Sequence, residues 1–343
     1  MSEKDIRKLL IHSGIFIVIM LLTFWSVFRG QDFAQMVGAI GQMEEHYLVA
    51  AVLLAISFVA AEGCMIWYLL RGIGEQTTML RCISYSFIGF FFSGITPSAT
   101  GGQPMQLYFM KRDGNTLAAS SVVLMTVAAV FKLVLVLIGV GVVVFWRKPL
   151  REYLGNYYGL YFLGLFLNSA LVVILLLVMF SPGVIRACFD KVEKILIQLH
   201  FWKETDSRRN RVEQFLTGYQ TTVCFLQQHK RLIGTIMMGT FLQRFCVFVL
   251  AYVVYRGLGL SGTALLDIVL IQACVYIAVD MLPIPGAQGI TEAMYKSVFG
   301  SIFTKQYLIA SMCITRGISF YLIMLIGFVV FCIANWRKCS VGQ

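Results

Sequence analysis

The sequence predicts an all-α polytopic membrane protein with six spanning helices and two re-entrant, broken helical hairpins in an inverted repeat. Three observations support this fold class. Of the 343 residues, 59% are hydrophobic and only 13% are charged, and the mean hydropathy is +0.80. Six apolar runs are long enough to cross a bilayer. Two further apolar segments are interrupted by proline and glycine at corresponding places in the two halves.

The six apolar runs each contain roughly 20 or more residues, the length that a helix needs to cross the hydrocarbon core. Because backbone polar groups in lipid must bond within their own segment, we predict that these runs are helices. They are residues 9–28, 47–70, 117–146, 157–180, 232–255 and 307–336. No small-residue cleavage site follows the first run, so we expect a retained span and not a signal peptide.

The lysines and arginines predict that both termini lie in the cytoplasm. We place the N-terminus inside and treat the broken segments, 80–110 and 263–303, as hairpins that return to their own side. Of the 28 basic residues, 18 then lie on the cytoplasmic side, seven lie outside and three lie within spans. This is the positive-inside pattern. It explains the net charge of +11 by topology, and we predict no nucleic-acid partner.

A basic insert, about residues 184–230, separates the first span of the second half from the rest of that half. Val192, Ile195, Leu196 and Leu199 fall at helical spacing, and the stretch from Val212 to Leu226 repeats it. We predict two amphipathic helices on the cytoplasmic side. They lie either on the membrane interface or packed as a helical pair, and the sequence favours neither.

The two broken segments predict the repeat within one membrane domain, residues 1–343. Half one covers about 8–150 and half two about 155–338. Pro97 and Pro285 are 285 − 97 = 188 residues apart, and the same offset maps the spans that flank the first segment near those that flank the second. Unwound backbone at membrane depth lines a polar cavity or is buried in protein. The alternative is that proline and glycine merely kink two ordinary spans. The predicted cavity residues in these segments are Thr96, Pro97, Ser98, Gly101, Gly102, Gln103, Asp280, Pro285, Gly286 and Gln288.

Six charged residues are predicted within the membrane, where each costs about 2.5–3.5 kcal/mol near the centre of a helix. They are Glu62, Lys132, Arg244, Asp280, Glu292 and Arg316. One interpretation is internal ion pairing, such as Glu62 or Asp280 with Arg244 or Arg316. The other is an anion site, in which arginines and the N-termini of half-helices beginning near Pro104 and Thr291 bind a lipid phosphate, with Glu62, Asp280 and Glu292 available for a cationic group or a proton.

Sequence patterns of other chemistries are missing. There is no Gly-x-x-x-x-Gly-Lys-[Ser/Thr] loop for ATP, and no nucleophile and base can be argued as a catalytic pair. The nine cysteines form no Cys-x-x-Cys pair and the four histidines form no His-Glu-x-x-His motif. We therefore predict no catalytic residue, no metal and no cofactor.

Two motifs resemble the flippase-like membrane domain of lysylphosphatidylglycerol synthases, over roughly residues 8–338. They are Gly94-x-Thr96-Pro97-Ser98-x-x-Gly101-Gly102-x-Pro104, followed by Tyr108 and Lys111-Arg112-x-Gly114, and Leu282-Pro283-x-Pro285-Gly286-x-x-Gly289-x-x-Glu292. The resemblance implies movement of aminoacylated phosphatidylglycerol to the outer leaflet of a bacterial cell membrane, which protects against cationic antimicrobial peptides. It also adds Arg112 to the predicted lipid-binding residues.

The chain departs from the full-length pattern of that family because it ends at Gln343, just after the last span. The soluble domain that transfers lysine from lysyl-tRNA is missing, so we expect no synthase activity from this chain alone. The predicted partners are the membrane, an anionic or aminoacylated phosphatidylglycerol substrate, a separate synthase chain and a second copy of this chain. Nucleic acid is predicted only as lysyl-tRNA bound through such a synthase chain. The alternatives to a flippase or scramblase are a phosphatidylglycerol lysyltransferase, a transporter of a polyprenyl-linked lipid, and a scaffold with a closed core.

Overall fold

The computed structural model describes residues 38, 40–41, 43–96, 99–181, 183, 186–187, 191, 206–282, 284, 287 and 289–341. Within these residues the regular structure is helical, which confirms the predicted all-α polytopic fold class. The helices are α1 (Glu45–Ile73), α2 (Met79–Ile95), α3 (Gly102–Arg112), α4 (Leu117–Phe145), α5 (Arg147–Leu154), α6 (Tyr158–Phe180), α7 (Asp206–Gln228), α8 (Lys230–Gly257), α9 (Leu265–Val279), α10 (Ile290–Val298), α11 (Lys305–Arg316) and α12 (Ile323–Val341).

Five helical stretches are long and apolar enough to cross a membrane. They are Glu45–Ile73, Leu117–Phe145, Arg147–Phe180, Lys230–Gly257 and Tyr307–Trp336. The last of these joins α11 to α12 through a π-helical segment, Gly317–Leu322. Five of the six predicted spans are therefore confirmed. The remaining predicted span, residues 9–28, lies outside the described residues.

The first hairpin, residues 79–112, consists of α2 and α3. At 1.5 Å per residue its arms are about 26 and 16 Å long, too short for a core of about 30 Å. At the open end the Tyr85 hydroxyl donates to Asp113 Oδ2 at 2.7 Å, so the chain has returned to the side from which it started. The arms lie close together, since a Cβ at Gly102 would lie 2.7 Å from the Gly89 carbonyl oxygen.

The second hairpin, residues 265–298, consists of α9 and α10, with arms about 22 and 14 Å long. At its open end the Phe303 ring packs against Tyr255 and Tyr295, with centroids 5.5 and 6.4 Å apart respectively. Tyr255 lies near the end of α8, from which the chain passes into α9. The chain that leaves α10 has therefore also returned to its starting side.

The two hairpins enter from opposite ends of the helix bundle because α1 and α8 are antiparallel. The Glu44 N–H at the start of α1 donates to the Gly257 carbonyl at the end of α8, at 3.3 Å. At the other end, a Cβ on Gly72 would lie 3.1 Å from Leu232 Cδ1. The first hairpin follows α1 and the second follows α8, so their open ends face opposite sides.

The tips of the two hairpins share an unusual backbone conformation. Ala99 has φ 54° and Ala287 has φ 50°, and these are the non-glycine residues with positive φ in the described part of the chain. A left-handed alanine costs roughly 1–2 kcal/mol, so its appearance in both tips needs a shared cause. The two alanines are 287 − 99 = 188 residues apart, the same offset that the sequence predicts between the halves.

Helix α7 belongs to the predicted basic insert and packs against the protein. Tyr219, Val223 and Leu226 are buried, and the Tyr219 hydroxyl lies 3.4 Å from the sulfur of Met125 on α4. Burial raises the pKa of Tyr219 to about 12, so the hydroxyl stays neutral. This helix therefore packs against protein, on α4 of the first half, and the predicted packing of the two amphipathic helices as a pair stays a prediction. The other predicted amphipathic helix, residues 192–199, lies outside the described residues.

The last span packs along the first hairpin through aromatic side chains. Phe331 of α12 contacts Phe91, Phe92 and Phe109, with ring centroids 5.2 to 6.3 Å apart. The backbone of Gly327 approaches the same arm so closely that any Cβ there would overlap the Phe87 carbonyl. This seam fixes α12 to the first hairpin just beyond the π-helical segment.

Candidate functional site

The six charged side chains that the sequence predicts within the membrane lie on the helices of the bundle and at the tip of the second hairpin, three acidic and three basic. They are Glu62 on α1, Lys132 on α4, Arg244 on α8, Asp280 directly after α9, Glu292 on α10 and Arg316 at the end of α11. Their formal charges cancel. Because an isolated charge is expensive at membrane depth, the partners of each one indicate its role.

Lys132 and Asp280 form an ion pair between the two halves of the molecule. Lys132 Nζ contacts Asp280 Oδ2, and the sulfur of Met281 lies 3.4 Å from the same nitrogen. The lysine and aspartate side chains are only 15% and 13% exposed. Helix α4 of half one therefore holds the tip of the second hairpin by a charge contact.

Arg316 and Glu292 form a second ion pair at the other side of the same tip. Arg316 Nε donates to Glu292 Oε1 at 3.1 Å, and the side chains are 16% and 11% exposed. Glu292 Oε2 also accepts the Gly289 N–H at 2.6 Å and so caps the N-terminus of α10. The N-terminus that we predicted to receive a ligand anion already has a carboxylate of its own.

These two contacts correct the predicted pairing scheme. The sequence suggested Glu62 or Asp280 with Arg244 or Arg316, but Asp280 pairs with Lys132 and Arg316 pairs with Glu292. The rotation of each helix about its axis determines which charges meet, and the sequence of a single apolar helix does not fix that rotation.

Arg244 is the most deeply buried charged residue in the described part of the chain, with an exposed fraction of 0%. Its guanidinium carbon lies 3.3 Å from the ring centroid of Phe131 and 4.9 Å from that of Tyr276. No described acceptor forms a well-directed hydrogen bond with its three nitrogens, although the Tyr276 hydroxyl lies close enough to interact. The carboxylates of Glu62 and Asp280 act on Arg244 only at longer range.

The neighbours of Arg244 on α8 extend the polar stripe that the sequence predicts. Thr240 and Gln243 are fully or almost fully buried. The Gln243 side-chain amide donates to the Phe58 carbonyl of α1 at 2.8 Å, while its Oε1 has no hydrogen-bond donor among the described residues. The Gln243 oxygen and the Arg244 nitrogens are therefore buried polar atoms without a well-directed partner among the described residues.

Glu62 lies on α1 and is hydrogen-bonded to a neutral side chain. Gln106 of α3 donates its Nε2 hydrogen to Glu62 Oε1 at 2.7 Å. Gln106 is 4% exposed, and its position is fixed because Gly89 of α2 leaves room for it. The first hairpin thus contacts the charged cluster through an amide.

Tyr276 connects the charged groups of the second half. It interacts electrostatically with Arg244, Asp280 and Arg316, and its ring lies under the guanidinium of Arg244. Helices α4, α8, α9 and α11 therefore place their charged side chains near one aromatic ring, and Glu292 of α10 and Glu62 of α1 adjoin this group through Arg316 and Arg244. We name it the charged site, defined by Glu62, Gln106, Phe131, Lys132, Arg244, Tyr276, Asp280, Glu292 and Arg316.

The tip of the first hairpin is closed by its own hydrogen bonds. The Gly101 N–H donates to Thr96 Oγ1 at 2.9 Å, and that hydroxyl donates to the Phe92 carbonyl at 2.7 Å. Gly102 begins α3 and packs against Ser93, whereas Gln103 points to the exposed side of the helix. The predicted site residues Pro97, Ser98, Pro285, Gly286 and Gln288 lie outside the described residues.

Arg112 lies at the open end of the first hairpin and not in the charged site. Its guanidinium carbon is 4.1 Å from the Phe109 ring centroid, Nε lies 3.5 Å from Asp113 Oδ1, and Nη1 donates to Asn335 Oδ1 at 3.3 Å. These contacts join the end of the hairpin to the end of α12.

Sequence reasoning missed three members of the charged site, and spacing could have found one of them. Tyr276 lies one turn before Asp280, and a residue one turn from an intramembrane charge lies on the same helix face. Gln106 and Phe131 do not lie one turn from a charged residue of their own helices. Neutral side chains cost less free energy than charged ones in apolar helices, which is why a search for intramembrane charges did not identify them.

The fold and the charged site together define a multi-pass membrane protein with two opposed hairpins and a polar centre. The family model described as "Lysylphosphatidylglycerol synthase TM region" matches residues 11–327, and the chain belongs to this family. The chain is also similar to a curated archaeal protein, the "UPF0104 membrane protein PH1989" of Pyrococcus horikoshii. The two are 25% identical over 271 residues, which cover 75% of this chain and 78% of that protein.

Proposed function

We propose that this protein is a lipid flippase or scramblase that moves an anionic or aminoacylated phospholipid between the leaflets. The observation that carries the proposal is Arg244. It is a fully buried cation at the junction of both halves, stacked on two aromatic rings, and its N–H groups donate no well-directed hydrogen bond to a described acceptor.

A phosphate is the ligand that best completes this arrangement. Arginine presents a planar fork of donors that matches two phosphate oxygens, and the nearby Tyr276 hydroxyl can accept from only part of its five N–H donors, which leaves strong donors unsatisfied. Lys132 and Arg316 each have a carboxylate of the protein. Arg244 is therefore the cation with unused capacity for an anion.

The acids of the charged site supply the complementary half of a zwitterionic headgroup. Asp280 and Glu292 lie on the tip of the second hairpin, and each retains some accessible surface. An ammonium such as that of a lysylated headgroup can replace Lys132 or Arg316 as their partner. The site thus offers one cation to the phosphate and carboxylates to an amino group, which supports an aminoacylated or simply anionic phospholipid as substrate.

The ion pairs also favour a transport function, in which part of the protein moves, over a role as a scaffold. Removing one partner from a buried pair is costly, while replacing both by apolar residues is often neutral or stabilising. A scaffold gains little from three acids and three bases at this depth. Two opposed hairpins with a charged centre are the arrangement typical of transport sites, in which one half moves against the other.

Leaflet exchange in proteoliposomes tests this function. The purified chain is reconstituted with phosphatidylglycerol that carries a fluorophore, and a membrane-impermeant quencher reports the outer-leaflet fraction. We expect exchange to be faster than in empty vesicles. Arg244→Gln should slow it at least tenfold, about 1.4 kcal/mol of lost stabilisation. Arg244→Lys keeps the charge but not the planar fork of donors, so its exchange rate should lie between those of the wild type and Arg244→Gln.

The matched control is Arg231→Gln, because Arg231 lies on the same helix but is exposed. It should exchange lipid at the wild-type rate. Wild-type exchange no faster than in empty vesicles would contradict the function. Equal rates for Arg244→Gln and Arg231→Gln would reject Arg244 as the phosphate ligand. A parallel assay with a polyprenyl phosphate tests the alternative cargo, and acceleration of that lipid alone would reassign the substrate.

The cellular setting follows from this activity and is part of the proposal. We place the protein in a bacterial cell membrane with both termini in the cytoplasm. A separate synthase chain would aminoacylate the lipid on the inner leaflet. Exposure of the positive headgroup outside would reduce killing by cationic antimicrobial peptides, and a deletion strain should become more sensitive to such peptides.

A further inference from the structure

We propose that helix α5 is a binding surface for the headgroups of anionic phospholipids, in the leaflet at the end of the bundle where the second hairpin opens. Helix α5 lies between α4 and α6, whose apolar stretches are long enough to cross a membrane, so it lies at a membrane boundary. The surface is separate from the charged site. The inference goes beyond the proposed function, since a lipid bound on α5 need not move between the leaflets.

Helix α5 carries a cluster of cations without counter-ions. Arg147, Lys148 and Arg151 lie within five residues, and all three are exposed. Arg147 and Arg151 are one turn apart, and like charges at that spacing destabilise a helix. None of the three forms a salt bridge with a described carboxylate, although Glu152 lies one turn after Lys148. The helix therefore presents positive charge that no described ion pair compensates.

The predicted topology makes this cluster unusual. Seven of the 28 basic residues are predicted on the side opposite the termini, and three of those seven lie on α5. Because lysine and arginine are depleted on that side of a membrane protein, their concentration in one short helix needs a separate cause. Attraction to the phosphate groups of anionic lipids supplies that cause.

Apolar contacts hold α5 against the second hairpin. Leu150 and Leu154 are fully buried in the hydrophobic cluster that also contains Phe299, directly after α10. Helices α5 and α10 are in contact. The Tyr153 ring stacks on that of Trp146, with centroids 5.6 Å apart and 8° between the ring planes. A headgroup bound on α5 therefore lies beside the open end of the second hairpin.

The residues that precede the cations favour a lipid over an acidic protein as the partner. Val140 and Val144 of α4 are one turn apart and exposed, and Phe145 at the end of α4 is 90% exposed. Exposed apolar side chains of this kind suit acyl chains. Trp146 and Tyr153 are residue types enriched at the membrane–water interface. One phospholipid can thus place an acyl chain along α4 and its phosphate at the cations of α5.

Quenching of Trp146 fluorescence by brominated lipids tests the proposal, because Trp146 directly precedes Arg147. The parent protein is the full chain with phenylalanine in place of the other four tryptophans. It is reconstituted into mixed phosphatidylglycerol and phosphatidylcholine vesicles in which one lipid or the other carries the bromine. We expect phosphatidylglycerol to be preferred by at least about tenfold, since each cation near an anionic surface contributes about fivefold. The preference should fall as salt screens the charges.

Three variants of the parent protein identify the source of the preference. The triple variant Arg147→Gln, Lys148→Gln, Arg151→Gln leaves the buried leucines unchanged and should reduce the preference to about twofold or less. Arg147→Lys with Arg151→Lys keeps the charges and should retain the preference. Lys230→Gln with Arg231→Gln is the matched control, because these exposed cations begin α8 at the other end of the bundle. The control should behave as the parent protein.

Equal quenching by the two brominated lipids in the parent protein would overturn the proposal and leave the cations of α5 to an acidic protein partner. An undiminished preference in the triple variant would also overturn it. The salt dependence tests the same point without any substitution on α5, and a preference that does not fall with salt would reject the cations as its source. None of these measurements requires leaflet exchange, so this proposal and the proposed function fail separately.

Discussion

The two hairpins have tips of matching backbone conformation, but among the described residues only the second tip carries charged side chains. The second hairpin carries Asp280 and Glu292 at its tip, and each acid is paired with a cation on a neighbouring span. The described residues of the first tip carry no charge. In the first hairpin the charged contacts, those of Arg112 and Asp113, lie at the open end.

The two hairpins therefore share a backbone conformation at their tips but are held in place by different kinds of contact. Polar contacts hold the second tip, and a charged ligand can replace such contacts. Close glycine approaches and the aromatic seam with α12 hold the first hairpin, and no headgroup can replace these contacts. We infer that the second hairpin rearranges around a lipid while the first provides the wall against which it moves.

The largest expected effect on stability comes from breaking a charge pair of the second tip. Asp280→Asn should lower the free energy of unfolding by about 3 kcal/mol, because Lys132 is left without its counter-ion in a largely buried position. The value is at the low end of the usual range, since both side chains keep some accessible surface. Thermal unfolding in detergent measures it.

The double variant Lys132→Met with Asp280→Asn is the control for that prediction. Because it removes both charges, the double variant should regain most of the lost free energy of unfolding. Its rate of lipid exchange should stay below that of the wild type. A double variant as unstable as Asp280→Asn alone would show that packing at the tip, and not the charge, holds the second hairpin.

A smaller effect is expected from crowding the arms of the first hairpin. Gly102→Ala places a Cβ against Ser93 and the Gly89 carbonyl and should cost about 1–3 kcal/mol. Gly141→Ala is the matched control, because Gly141 is also helical but has open space where a Cβ would lie. Equal melting temperatures for the two variants would mean that the hairpin arms are looser than their spacing indicates.

The smallest effect should come from the polar contact at the open end of the first hairpin. Tyr85→Phe removes one hydrogen bond to Asp113 and should cost about 1 kcal/mol. Lipid exchange should remain near the wild-type rate, since the contact lies outside the charged site. A large loss of exchange would indicate that this open end is a gate.

Much of the fold could be predicted from sequence because the membrane imposes strict rules. Apolar length identified the spans, and the prolines and glycines around Pro97 and Pro285 identified the hairpins. The 188-residue offset recurs in the left-handed Ala99 and Ala287. The same rules do not determine whether an amphipathic helix meets lipid or protein, and α7 meets α4.

The charged site was predicted less completely. All six charged members, such as Arg244, could be identified from the sequence, because a charged residue within a predicted apolar span is costly in lipid and needs a reason. Their pairing depends on how each helix is rotated and at which depth it lies, and these follow from tertiary packing. Gln106 and Tyr276 carry no charge and left no comparable signal, yet they hold Glu62 and Arg244 in place.

A cryo-electron microscopy structure in nanodiscs that contain phosphatidylglycerol tests the central claim most directly. We predict a lipid phosphate within about 2.7–3.2 Å of the Arg244 guanidinium nitrogens, with its headgroup facing the tip of the second hairpin. Lipids bound only around the outer surface, with Arg244 still stacked on Phe131 and Tyr276 and no phosphate beside it, would contradict the account.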